Sequence, residues 1–160
     1  MEVLAMKEFI FDQLKIIRNN TVNEARELSE SQVDSVPEGF NNNIRWNLGY
    51  VYLVQEKFAF GFIEGPMQVP DGFAELFGGK TKPSDWKVQP PSLPELVKML
   101  EDQTSRIKEK LSDRLNEVVA KPLNMPSGLT LKTIGEFLTF SMYHEGQHVQ
   151  TIKMLKRFTA

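Results

Sequence analysis

The chain contains only two histidines, set four residues apart in the run Tyr143-His144-Glu145-Gly146-Gln147-His148. On a helix this spacing puts both imidazoles on one face, one turn apart, where they can offer two nitrogens to one metal ion. Cysteine is absent. Disulfides, thiolate metal sites and a cysteine nucleophile are therefore excluded, so any metal must be held by nitrogen and oxygen. Any thiol chemistry must use a thiol carried by a small molecule. The plainer alternative is a pair of histidines in a polar pocket, hydrogen-bonded to neighbours such as Ser141 or Tyr50.

The same six residues match the H-E-x-x-H pattern of zinc metalloproteases. Those enzymes place a third ligand downstream, and the twelve residues after His148 include no His, Asp or Glu. Glu145 points about a quarter-turn away from His144. It reads as a partly solvated residue or a partner behind the ligands, not as a general base.

Four helices are expected to position these residues. In the first, Val3, Met6, Ile10, Leu14, Ile17, Ala25 and Leu28 recur at intervals of three and four, with Thr21 in the one polar gap. That spacing marks one buried face. The helix should end near Ser29 to Ser31, and Asn19 and Asn20 mark a possible bend. Asn41, Asn42 and Asn43 are candidate caps for a second helix over Ile44 to Phe62, apolar on most sides. Residues 63–92 are rich in Gly and Pro and read as a long connection with one helical turn at Phe73 to Phe77. Ser92 and Glu95 form a capping box for a third helix, whose stripe runs from Leu93 through Leu111, Leu115 and Val118. Thr130 reads as the cap of the last helix, which runs to about Arg157 with Leu131, Ile134, Leu138, Ser141, His148, Ile152 and Leu155 facing inward. The fold class expected is all-α, a four-helix bundle with a long connection between helices 2 and 3, in one domain over residues 1–160.

Composition narrows the function. Hydrophobic residues make up 41% of the chain and charged residues 25%, as in an ordinary globular domain. A net charge of -2 with dispersed lysines and arginines gives no reason to expect nucleic acid or an anionic membrane surface. Met1 to Ile10 carries acids among its apolar residues, so it does not read as a signal peptide. A cytoplasmic protein is the simplest expectation.

Two segments together resemble the DinB-like family: Asn43-Ile44-Arg45-Trp46-Asn47-Leu48-Gly49-Tyr50 and His144-Glu145-Gly146-Gln147-His148. The resemblance covers essentially the whole chain, because helix order, the long middle connection and both motif positions agree. It implies a divalent metal, often nickel or zinc, bound by three histidines, one from the second helix and two from the last. His144 and His148 match the last-helix pair. The second-helix ligand follows a Trp-x-x-Gly segment, present here as Trp46 to Gly49, but its position holds Tyr50. Phenols titrate near ~10, so a bond through Tyr50 requires metal-driven deprotonation. Asn47, one turn earlier, offers a weak oxygen. Tyr50 reads equally as a core aromatic whose hydroxyl bonds a histidine.

The resemblance implies an enzyme that attaches a low-molecular-weight thiol to a small electrophile, or isomerises a small molecule with a thiol cofactor. The alternative is a non-catalytic bundle whose metal site has decayed at Tyr50 and which binds ligand or forms a homodimer. Trp46 is expected to anchor packing, Gly49 to permit close approach of a neighbour, and Arg45 to be solvated or to meet an anionic group.

Overall fold

In the computed structural model, which describes residues 2–159 and the side chains of residues 7–159, helix α1 spans Glu2–Ala25. The expected inward positions Val3 and Met6 have side chains outside the described residues. Leu14, Thr21, Val22 and Ala25 are buried. The stripe passes through Arg18, buried at 3% exposure, while Ile17 is only half-buried. The helix continues through Asn19 and Asn20 but stops short of the expected end. Ser29 instead starts a separate helix, α2 (Glu30–Asp34), because its side chain and that of Gln32 cap each other's backbone N–H groups.

Helix α3 (Ile44–Ala59) begins at Asn43, whose Oδ1 accepts the Trp46 N–H at 2.7 Å. It gives way to a 3-10 turn at Gly61–Ile63, before the expected end at Phe62. Arg45 is buried, neither solvated nor free for an anion. It donates to Glu30 and Asp34 and to the Pro91 carbonyl, clamping α2 against the start of α3.

The long connection contains helix α4 (Phe73–Phe77), as expected, and a 3-10 turn at Pro83–Asp85. Polar bonds fasten it to α3. The Trp46 indole donates to Thr81 Oγ1 at 2.8 Å, and the Tyr52 hydroxyl donates to the Gln68 carbonyl at 2.6 Å. The Gln68 N–H in turn donates to Glu56 Oε2 at 2.9 Å. Gly49 admits the Phe77 ring: a Cβ at position 49 would lie 2.3 Å from its carbons. The close approach expected of Gly49 is thus made by an aromatic ring from the connection.

Helix α5 (Leu93–Leu111) starts at the Ser92/Glu95 capping box with Pro94 in its first turn. It ends earlier than its apolar stripe suggested. Val118–Asn124 forms strand β1, paired antiparallel with strand β2 (Thr130–Thr133), with Val118 opposite Thr133 and Asn124 opposite Thr130. Gly128 closes the turn at φ +89°, a conformation glycine adopts without a Cβ penalty. The all-α expectation is roughly right: the described residues are mostly helical, with a small two-stranded sheet added to the helices. The hairpin also moves the last cap. Helix α6 (Ile134–Lys156) starts at Thr133, not Thr130, and Glu136 completes the box.

Helices α1 and α3 both pack on α6, and α5 lies against α1 and α3. Among the described residues, no helix is long and apolar enough to cross a membrane.

Candidate metal centre

The packing of α3 against α6 brings together the three residues singled out in the sequence. The rings of His144 and His148 have centroids 4.6 Å apart. The Tyr50 ring stands edge-on to both, 5.4 Å from His144 and 5.2 Å from His148. Trp46 stacks on Tyr50 at 4.8 Å, and Phe58 meets His144 at 6.5 Å, so aromatic rings border the site on the α3 side. All three candidate residues are half-buried. Ligating imidazole nitrogens sit about 2.0–2.1 Å from zinc, which puts ring centroids roughly 3 Å from the ion and roughly 5 Å from one another. The two imidazoles, 4.6 Å apart, have about that separation.

Hydrogen bonding fixes one imidazole. His148 Nδ1 lies 2.8 Å from Asn47 Oδ1, and the Asn47 amide nitrogen donates to the Asn43 carbonyl at 2.8 Å. With its NH2 committed there, Asn47 presents an oxygen to the ring, so Nδ1 donates and Nε2 keeps its lone pair. Asn47 is therefore not an oxygen ligand but a partner behind His148. The other expected partners are elsewhere. Ser141 Oγ donates to the Leu138 carbonyl at 2.6 Å. The Tyr50 hydroxyl makes no hydrogen bond to either imidazole and lies beside Gly79, where a Cβ would be 3.8 Å from it.

Burial lowers the pKa of His144, with nearby Glu145 pulling the other way. Burial and, after it, the charge of His144 push His148 down to about 4, again against Glu145. Both rings are neutral at pH 7, as metal ligands must be. A stability effect follows. The unfolded chain takes up a proton on His148 near 6.5 and the folded protein near about 4. Between those values the unfolded state binds more protons, so this contribution is complete above 6.5 and lost as pH falls through the window. In metal-free protein the loss should be at most about 3 kcal/mol. Urea midpoints measured across the window should show it, and His148→Gln should remove most of it; an equal pH response in the variant would assign the effect to other groups.

Glu145 departs from expectation. It is 1% exposed, and Arg18 grips its carboxylate with Nε at 2.8 Å and Nη2 at 3.1 Å. The Thr21 hydroxyl donates to it at 2.6 Å. Arg18 also donates to the Leu100 carbonyl and, at 3.0 Å, to Gln103 Oε1. Gln103 Nε2 donates to Glu56 Oε1 at 2.9 Å, and Arg106 donates to the same buried carboxylate. This polar chain crosses α1, α6, α5 and α3 and ties both carboxylate oxygens of Glu145 to Arg18.

Two roomy cavities lie elsewhere. One of about 610 Å³ lies between the hairpin and the first turns of α6, and one of about 640 Å³ lies between α2 and the start of α5. Neither is lined by His144, His148 or Tyr50. Among the described residues, no group of three or more His, Cys, Asp or Glu side chains is arranged to share an ion. The donor set at the α3/α6 contact is two neutral imidazoles, which suit a borderline ion such as nickel or zinc, with a phenol beside them.

Arg18 is the residue that pattern reading missed, and Asn47, read there as a weak oxygen ligand, instead partners His148. Arg18 sits four residues from both Leu14 and Val22, on the apolar stripe itself. A buried arginine requires a partner, and that position was the available signal. For Asn47 the signal was its place inside the Trp-x-x-Gly segment, about one helical turn before Tyr50.

No curated protein matches the sequence closely enough to serve as a relative. The sequence profile of the DinB superfamily, in contrast, matches residues 13–152, a span that includes Arg18, Asn47, Tyr50, the connection and both histidines. With that match over most of its length, the chain belongs to the DinB superfamily.

Proposed function

We propose that the chain is a metal-dependent enzyme acting on small molecules, of the type that transfers a low-molecular-weight thiol to an electrophile. In this reading His144 and His148 hold a nickel or zinc ion and Tyr50 stands at the third position. The observation that carries it is the pair of neutral, half-buried imidazoles at 4.6 Å, one of them oriented through its far nitrogen. Metal-ligating histidines characteristically have such a partner on the second nitrogen. A bound ion there supplies Lewis acidity, which lowers the pKa of a thiol and makes thiolate available at neutral pH. The chain's own residues hold and shield: Asn47 orients His148, and Trp46 and Phe58 border the histidines and limit water. The connection near Gly79 faces the Tyr50 hydroxyl and bounds the space for an electrophile. The four long helices serve as one bundle domain over residues 1–160, in a cytoplasmic protein that can pair as a homodimer.

A second reading is favoured by Tyr50 itself. With a phenol where the family's third histidine stands, the chain is a non-catalytic bundle that binds ligand or dimerises. Metal content decides between them. Untagged protein, equilibrated with nickel or zinc and analysed by elemental mass spectrometry, should carry about one ion per chain. A His144→Ala/His148→Ala double variant should carry none. No metal in either protein would remove the enzyme reading and leave the second.

A further inference from the structure

The side chain that fixes His148 is itself fixed on every side. Asn47 is 2% exposed, and its NH2 donates to the Asn43 carbonyl at 2.8 Å. The same carbonyl accepts the Asn47 backbone N–H at 3.3 Å. Asn43, 1% exposed, is in turn held by two further bonds: its Oδ1 caps Trp46 at 2.7 Å, and its Nδ2 donates to the Asp34 carbonyl at 3.2 Å. The Asn47 amide therefore cannot flip without abandoning a bond at a buried site, and its oxygen is permanently aimed at His148 Nδ1. Free imidazole side chains in water favour the tautomer with the proton on Nε2. A fixed acceptor at Nδ1 reverses that preference.

We propose that Asn47 is a positioning residue that holds His148 in its Nδ1–H tautomer and so presents the Nε2 lone pair toward His144 and Tyr50. This inference rests on the metal reading of the same site for its purpose, but not for its detection. A neutral histidine in the other tautomer would have its proton on Nε2, where an ion would need the lone pair. Asn47 thus pre-selects the state able to ligate, and does so from α3, the helix that carries Tyr50. A leucine at 47 would keep the size and remove the acceptor; an aspartate would keep the acceptor.

The test is long-range proton–nitrogen NMR of the imidazoles in metal-free protein near neutral pH. His148 is expected as Nδ1–H in the wild type and in Asn47→Asp, and as Nε2–H in Asn47→Leu. Wild-type His148 found as Nε2–H overturns the proposal without any variant, as does an Nδ1–H form that survives in folded Asn47→Leu. Calorimetric titration with zinc or nickel provides the second arm. Outer partners of ligating histidines are typically worth about 10–100-fold in affinity. Asn47→Leu should therefore weaken binding by that factor, and Asn47→Asp should restore it. Unchanged affinity in Asn47→Leu overturns the positioning role. A wild type that shows the expected tautomer but binds no metal sinks the metal reading alone, so the two failures are distinguishable.

Discussion

The Tyr50→His variant should bind zinc or nickel about 100-fold more tightly than the wild type, the largest gain expected from any single change. The wild-type pair supplies two nitrogens, whereas catalytic zinc sites ordinarily have three protein ligands and one open position. Position 50 is already where a third ring belongs, 5.2 and 5.4 Å from the two imidazole centroids. A phenol carries its oxygen well beyond the ring centre, and here that oxygen lies toward Gly79. An imidazole carries its nitrogens on the ring itself, within reach of an ion shared with His144 and His148. Stacking by Trp46 should survive, since the imidazole is flat and smaller than the ring it replaces. Isothermal titration of both proteins is the measurement. A ratio near one would show that the rings at 50, 144 and 148 do not converge on a common point, and would count against a metal at this site. A large gain with no activity in the wild type would instead favour the degenerate-site reading.

Glu145→Leu should destabilise the fold by about 3–5 kcal/mol, because it leaves the Arg18 guanidinium buried without its counter-ion. Arg18→Met should cost a similar amount for the reciprocal reason. Both side chains are nearly inaccessible, at 3% and 2%, so water cannot take the missing partner's place. Native domains are stable by only about 5–15 kcal/mol, so either single change approaches the unfolding limit. The double variant Arg18→Met/Glu145→Leu should recover most of the loss, since an apolar pair has no charge to strand. Gln103 and Thr21 would each lose one partner, which keeps recovery from being complete. Urea unfolding of the three variants gives the coupling directly. Single variants within about 1 kcal/mol of the wild type, or a double variant as unstable as the sum, would mean that the pair is not the clamp its burial indicates.

Local signals in the sequence located what depends on local chemistry. Ser92 and Glu95 announce α5 because a capping box is complete within four residues, and the single turn at Phe73–Phe77 is enclosed by glycines that stop it. The histidine pair and Tyr50 were legible for the same reason: a helical spacing and a Trp-x-x-Gly segment are short patterns. The hairpin was hidden because Leu111, Leu115 and Val118 continue the helical interval of four and three past the real end of α5. Nothing in that interval reveals that Val118 will pair with Thr133. Once the hairpin is present, Thr130 becomes a strand residue and the cap must move to Thr133. Glu145 was misjudged because its partner, Arg18, is 127 residues away. Helical geometry says where a side chain points, not which charge waits there.

The pairing of Glu145 with Arg18 has a consequence for whatever enters the site. Glu145, the acid beside the histidines, already has its opposite in Arg18, and the histidines themselves are neutral at pH 7. The pocket therefore offers a dication nitrogen but no countercharge. An ion bound there would carry its full double charge into a half-buried space, where such a charge is costly until an anion joins it. The anion would gain as much from the ion as the ion gains from the anion, since linkage is reciprocal. Metal and anionic substrate should thus load as a pair, each tightening the other.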